Sequence, residues 1–438
     1  NPFGPQSSAA IIPVDPTSSA VVVTPTGGTV LPLASTANKA APVALYDVWK
    51  SFHYVTLEEE SVYYSSLTSG FNYVFSAAYQ PAARVVWSTQ STGMYAQHCK
   101  VEDSGVSAKK FRGCTVSEGI GYGMLITAFQ GNEQDFIRLW NYSRAFRAYD
   151  NLSLTPWITY SFHFNEIDNS SATDADLDIA TSLIIMYLNT GNAAYLNDAL
   201  TIAGAIWDKE VNKSNYYLYA GDTHMWTGNN PIVYNLSYFS PVALRLFAKF
   251  DQAHQWNLVL DAMYNYMTTI QQLGTGVFPD WSTDNSSVNP PNEAAGNEKT
   301  GFTYYTFNKE SVRIPWRIAW DYYWFQDTRA GAILKTLNDF IVGKSGGDPS
   351  SNALAINYSW NLSLGADVAK NTSVPSQWYA AWCATGLGTN STWLDKCTTG
   401  LNALAPTNNA SSYFSDILLM MYSQLLNGMY VKPAALGM

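Results

Sequence analysis

Eleven stretches of this chain repeat apolar residues at the three- and four-residue spacing of a helix face. Nothing else in the sequence limits the fold as strongly. They run over 117–129, 133–146, 174–189, 193–208, 239–250, 254–273, 310–325, 329–344, 373–385, 391–404 and 411–428. Short turn signals separate several neighbours, "QGNE" at 130–133 and "NTGN" at 189–192 among them. Strand signals are few, the clearest being "ARVVW" at 83–87. Helices that follow one another as hairpins, with long irregular loops between alternate ones, predict an all-α fold. The expected architecture is a closed ring of helical hairpins around one large core. An open helical solenoid would show a repeat of fixed period, and none is visible.

The 438 residues divide unevenly. Residues 1–42 are rich in Pro, Thr, Ser, Ala and Val, and read as an extended tail or linker whose prolines exclude helices. Residues 43–438 read as one domain. Four cysteines fall into two local pairs, Cys99/Cys114 and Cys383/Cys397. Each pair would close a loop of about 15 residues, worth about 3 kcal/mol in the chain-entropy model. Disulfides imply an oxidising compartment. With a start at "NPFGPQSS" rather than Met, this predicts a processed, secreted protein. Asn-X-Ser/Thr sequons at Asn141, Asn169, Asn235, Asn285 and Asn390 add weak support. His98 beside Cys99 lacks further ligands at metal spacing, so no metal is expected.

A net charge of −10 disfavours nucleic acid and anionic lipid, and no apolar run reaches the length of a membrane span. Only 13% of residues are charged, while 15 Trp and 29 Tyr are present. Aromatic rings stack on the apolar faces of sugars and keep a polar edge available. That composition suits a neutral polyol ligand, though an aromatic helical core would give the same count.

Three acidic clusters carry chemistry. In "SEGIGYGM", residues 117–124, Glu118 stands among three glycines at a helix start. Either a ligand comes close to it, or it is a carboxylate favoured by the helix dipole. In "SSATDADLDIATSLIIM", residues 170–186, Asp174, Asp176 and Asp178 alternate. A calcium loop is excluded, because Ile179 stands where glycine is required and Ile185 where glutamate is. Capping by Thr173 or Asp174 explains one or two of these acids. The turn runs directly into Ile179, Ala180, Leu183 and Ile184, so some of the acids face the core. In "FNKESVRIPWRIAWDYYWFQD", residues 307–327, Glu310 and Arg313 share a helical face and can pair. Trp316, Trp320 and Trp324 read as core.

Taken in order, "SEGIGYGML", "FIRLWNYS", "ATDADLDIA", "NLSYFSPVALRLF", "GVFPDW" and "RIPWRIAWDYYW" resemble glycoside hydrolase family 8, which contains bacterial cellulases, xylanases, lichenases and chitosanases. The resemblance implies an (α/α)6 barrel over 43–438 and single-displacement hydrolysis with inversion. It assigns the general acid to Glu118, the glycines beside it then giving a sugar chain access. It assigns sugar binding and distortion at the cleavage site to Asp174 and Asp176, with Asp174 favoured. The family commonly places its base in Tyr-Asp-Ala-x-Arg. Here that stretch is Lys309-Glu310-Ser311-Val312-Arg313, which makes Glu310 the base and Arg313 its partner. A base supplied by the preceding loop, from Asp280, Asp284, Glu293 or Glu298, is the alternative. Trp157, Trp281, Tyr122, Trp226 and Tyr234 are candidates to line the cleft. The expectation is therefore a secreted, monomeric endo-hydrolase without a cofactor. Its substrate would be cellulose or mixed-linkage β-glucan, then xylan or chitosan. A glycan-binding relic that no longer cuts is the rival reading.

Overall fold

The computed structural model describes residues 30–65, 75–87, 99, 113–162, 166–223, 232–283, 304–369, 371–407 and 412–437. Six helices pack side by side into a closed inner ring: α3 (Ser117–Gln130), α5 (Thr173–Thr190), α7 (Pro241–Phe250), α9 (Ile314–Phe325), α11 (Ser376–Ala384) and α13 (Tyr413–Leu426). The last of these returns to pack on the first. An outer helix backs each one: α4 (Glu133–Tyr149), α6 (Ala193–Glu210), α8 (Trp256–Leu273), α10 (Thr328–Ser345), α12 (Ser391–Leu401) and, behind α13, α1 (Ala40–His53). This is the (α/α)6 barrel, and its inner helices are apolar on nearly every side because they are walled in on every side.

The turn signals act as expected and show how. Gly131 and Gly191 take left-handed φ of 73° and 75°, ending α3 and α5. The next residue starts the outer helix: Asn132 Oδ1 accepts from Asp135 N at 3.1 Å, and Asn192 Oδ1 from Ala194 N at 3.0 Å. A Gly-Asn pair thus turns the chain in two residues. The opposite end of the barrel is different. There the outer-to-inner connections 150–172, 211–240, 274–313 and 346–375 are long. They carry short antiparallel strands such as Val233–Tyr234 on Ser282–Thr283. These loops surround the N-terminal ends of the inner helices.

All eleven helical stretches are present, but sequence reading placed no helix before residue 117. The structure adds two, α1 and α2 (Leu57–Ser65). Helix α1 buries Pro42, Leu45, Tyr46, Trp49 and His53, which is helical spacing. Pro42 lies in the first turn, where proline's missing N–H costs nothing. Its partner α13 comes from the other end of the chain, and His53 Nε2 lies 2.7 Å from Asp416 Oδ2 with both side chains fully buried. Tyr46 Oη donates to Asp135 on α4 at 2.6 Å, and Ser35 N to Asp395 on α12 at 2.6 Å, so this end of the chain closes the outer ring on both sides.

The cysteines pair as Cys99–Cys114 and Cys383–Cys397. Trp316, Trp320 and Trp324 are buried and pack with Phe129 and Tyr430 in the core. Among the described residues no helix is long and apolar enough to cross a membrane.

Candidate active site

Inner helices of one orientation bring their first turns together, and the acidic clusters meet there. Glu118 is the second residue of α3, Asp174 the second of α5, and Arg313 immediately precedes α9. Helix N-termini favour carboxylates, and here several point at one place. The centre is Arg313, only 2% exposed. Its Nη1 donates to Glu118 Oε2 at 2.5 Å and to Asp174 Oδ2 at 3.2 Å. Its Nη2 donates to Glu310 Oε2. Glu118 and Glu310 thus occupy neighbouring nitrogens of one guanidinium, held apart by its width. Tyr122 Oη lies 3.3 Å from Nη1, and the rings of Tyr238 and Phe414 flank the guanidinium at 5.3 and 5.9 Å.

The two glutamates stand at the surface of this otherwise buried cluster, with Glu118 17% and Glu310 26% exposed. Burial pushes Glu118 up to about 7, and the charges of Asp174 and Glu310 push the same way. Arg313 and the Tyr413 hydroxyl, which donates to Oε1 at 2.8 Å, pull it down. Burial likewise raises Asp174.

The glycines around Glu118 serve packing rather than sugar access. A Cβ on Gly121 would stand 3.0 Å from the Ala175 carbonyl and from Asp178 Cβ. One on Gly119 would meet Tyr413 at 3.2 Å, and one on Gly123 would meet Leu139 at 2.9 Å. The space belongs to α5, α13 and α4, so the expectation of an open approach for a sugar chain is corrected. Close approach of α3 to α5 is what brings Glu118 beside Asp174.

Asp176 does not join the cluster. It is fully buried and faces Glu210 on α6, another acid. Burial raises both; the charge of Glu210 pushes Asp176 further up, and that of Asp222 does the same to Glu210. Its predicted contact with sugar is therefore corrected: neither oxygen reaches the surface of the cleft. Capping does not explain these aspartates either, since Ala172 precedes α5 and no side chain caps it. Asp178 forms a third environment, paired through both oxygens with Arg317 in the core.

Tyr234 is also corrected. It is fully buried, its hydroxyl accepting from Asn212 Nδ2 at 3.0 Å. Tyr122 is buried too, edge-on to Trp316, so only its hydroxyl is turned to Arg313. Trp157 is half-buried, and its carbonyl accepts from Ser117 N at 2.9 Å, immediately before Glu118. Trp281 is half-buried with its ring 6.4 Å from that of Tyr238. Trp226, Asp284, Glu293, Glu298 and His98 lie outside the described residues. Asp280, the remaining loop acid, is buried and caps the turn before Arg313 by accepting from Asn308 N, Ser311 N and Ser311 Oγ. Among the described residues no group of acids, histidines and cysteines is arranged to hold a metal.

Sequence reasoning missed Tyr413, Tyr238 and Asn235, whose Nδ2 donates to Glu310 Oε2 at 2.7 Å. In the sequence Asn235 stands out only as a sequon and as the first residue of "NLSYFSPVALRLF", and Tyr413 only as part of a helix. One signal was available for Tyr413: like Glu118 and Asp174, it occupies the first turn of an inner helix.

The comparisons agree with this architecture. The sequence profile described as Glycosyl hydrolases family 8 matches residues 61–423. Beta-glucanase of Niallia circulans is 30% identical over 320 residues, covering 69% of this chain and 76% of that protein. Endoglucanase C of Ruminiclostridium cellulolyticum is 34% identical over 232 residues, covering 52% of this chain but 47% of that protein, so the match spans about half of the relative's length. The apo structure of Beta-1,3-1,4-glucanase from Paenibacillus sp. X4 shares the fold at 23% identity and a TM-score of 0.69, covering 92% of this chain and 96% of that one. With the profile matching most of its length and the ring of paired helices in place, the chain belongs to glycosyl hydrolases family 8.

Proposed function

We propose that this chain is an endo-acting glycoside hydrolase that cleaves β-1,4 linkages in cellulose or mixed-linkage β-glucan with inversion. The observation that carries the reading is the placement of Glu118 and Glu310 on the two arms of Arg313, with Asp174 alongside. Inversion needs one protonated carboxyl and one carboxylate, with room for a water between the carboxylate and the sugar. Glu118, pushed up to about 7, is the acid. Its proton passes to the glycosidic oxygen as the bond from C1 to that oxygen breaks. Glu310 takes a proton from the water whose oxygen bonds to C1 on the opposite face. Solvent then returns a proton to Glu118 and removes one from Glu310. Tyr413 Oη can accept as well as donate, so Glu118 keeps a partner in either state. The role at the sugar of the cleavage site is assigned to Asp174 because it shares Arg313 with both glutamates.

The substrate class follows the relatives, whose names are endoglucanase and beta-glucanase. The half-buried Trp157 and Trp281 are proposed as sugar platforms. The two disulfides support export to an oxidising compartment. The test is reducing-sugar release from carboxymethyl cellulose, lichenan, xylan and chitosan. Release from the two glucans first is expected. Release from xylan or chitosan alone would overturn the substrate, and binding without release from any would overturn the hydrolase.

A further inference from the structure

Glu310 is the one acid of the cluster that no regular helix carries. It precedes the short turn Ser311–Arg313 at the edge of the cleft. Glutamate has one more rotatable bond than the aspartate that stands in the family's usual pattern. Left to itself, a half-exposed carboxylate on that longer stem would sample several rotamers. Arg313 alone does not settle the matter, because its guanidinium is shared with Glu118 and Asp174.

Asn235 supplies the missing constraint. It is buried, and its Nδ2 donates to Glu310 Oε2 at 2.7 Å. Its Oδ1 accepts from Ser237 N at 3.0 Å and from Ser237 Oγ at 2.7 Å. Those two bonds decide which way round the amide lies, so the NH2 group must face Glu310. Both donors to Glu310, Asn235 and Arg313, fall on Oε2. Among the described residues Oε1 receives no donor, which leaves it for the proton of the attacking water. Below, Asp280 Oδ1 accepts from Ser311 N at 3.0 Å and Ser311 Oγ at 2.7 Å, fixing the backbone from which Glu310 projects.

We propose that Asn235 is a positioning residue for the general base. It locks the longer glutamate so that Oε1 is directed at the water. The inference rests on the assignment of Glu310 as base, and it also gives Asn235 a role that excludes glycan attachment at that sequon.

The test compares Asn235→Ala in two backgrounds. With Glu310 intact, the water is misplaced, and kcat on β-glucan should fall about 10- to 100-fold with KM within about twofold, the scale of a misplacement near 1 Å. With Glu310→Ala and azide as the external nucleophile, the rescued rate should be the same with and without Asn235→Ala, since no base remains to be positioned. Equal losses in both backgrounds, or a rise in KM without loss of kcat, would overturn the proposal and make Asn235 a substrate-binding or purely structural residue. Should Asn235→Ala not fold, Asn235→Asp retains the bonds from Ser237 and replaces the donor by a carboxylate that repels Glu310, and a drop in kcat at least as large at constant KM is expected. A Glu310→Ala enzyme that stays active without azide is a separate failure: it overturns the base assignment itself.

Discussion

Asp174 and Asp176 stand two residues apart in the first turn of α5, yet they end in opposite surroundings. Asp174 shares a guanidinium with two glutamates at the edge of the cleft. Asp176 faces Glu210 in the interior, and among the described residues neither Asp176 Oδ2 nor Glu210 Oε2 has a donor within hydrogen-bond distance. Two residues on an α-helix are about 200° apart, so alternation that would share one face of a strand splits across a helix. The cation makes the rest of the difference. Arg313 lets three carboxylates coexist, the two glutamates partly exposed and Asp174 buried. Among the described residues no cation is paired with Asp176 or Glu210, and a proton shared between them would give both oxygens a partner. The first arrangement can exchange protons with a substrate, and the second is sealed.

The comparison breaks most visibly at Arg313. Arg313→Lys keeps a positive charge but loses the fork that serves two glutamates at once. Turnover should fall about 10²- to 10³-fold, the loss typical of a removed electrostatic stabiliser; a variant within tenfold of wild type would show that charge alone suffices. Next, Asp174→Asn should cost about 10²-fold in kcat by the same reasoning, whereas Asp176→Asn should leave kcat close to wild type. Equal effects of the two substitutions, measured on one β-glucan, would erase the distinction between the clusters.

Gly121→Ala acts on the packing that creates the first cluster. Its methyl group would press on the Ala175 carbonyl and Asp178 Cβ, so a loss of about 1–3 kcal/mol in a denaturant titration is expected, as for other overpacked cores. No loss would mean that the glycine is kept for another reason.

The smallest effect concerns the sealed pair and appears only in a pH series. Burial raises Glu210 from 4.5 to about 8 in the folded protein. Between those values the folded chain keeps a proton that the unfolded chain has released. Stability contributed by the pair is therefore complete at acid pH and declines as pH rises through this window. Glu210→Gln removes that titration, so its melting temperature should fall less than wild type between pH 5 and pH 8. A steeper fall in the variant would contradict the shared proton.

Much of the barrel was legible because its hairpins are local. A glycine stop, an asparagine start and apolar spacing are all read within one segment, and α3 through α13 follow from them. Helix α1 has the same spacing, yet the proline-rich residues before it read as tail and its partner lies at the far end of the chain. The site divides along the same line. Glu118, Asp174, Glu310 and Arg313 stand in motifs whose residue types declare themselves. Tyr413 reaches Glu118 only because α13 closes the ring, 295 residues away in sequence. Asp176 was grouped with Asp174 by spacing alone, and the acid it faces, Glu210, comes from a different helix.

The central claim is that Glu118 donates the proton that breaks the glycosidic bond, and the turnover of Glu118→Gln on β-glucan tests it most directly. The variant keeps an oxygen that can accept from Arg313 and an amide NH2 that can donate to the Tyr413 hydroxyl oxygen, but it has no proton to transfer. A fall in kcat of about 10²- to 10⁴-fold with KM little changed is predicted, the usual contribution of general acid catalysis. More than a tenth of wild-type turnover would contradict the account and remove Glu118 from the acid's role.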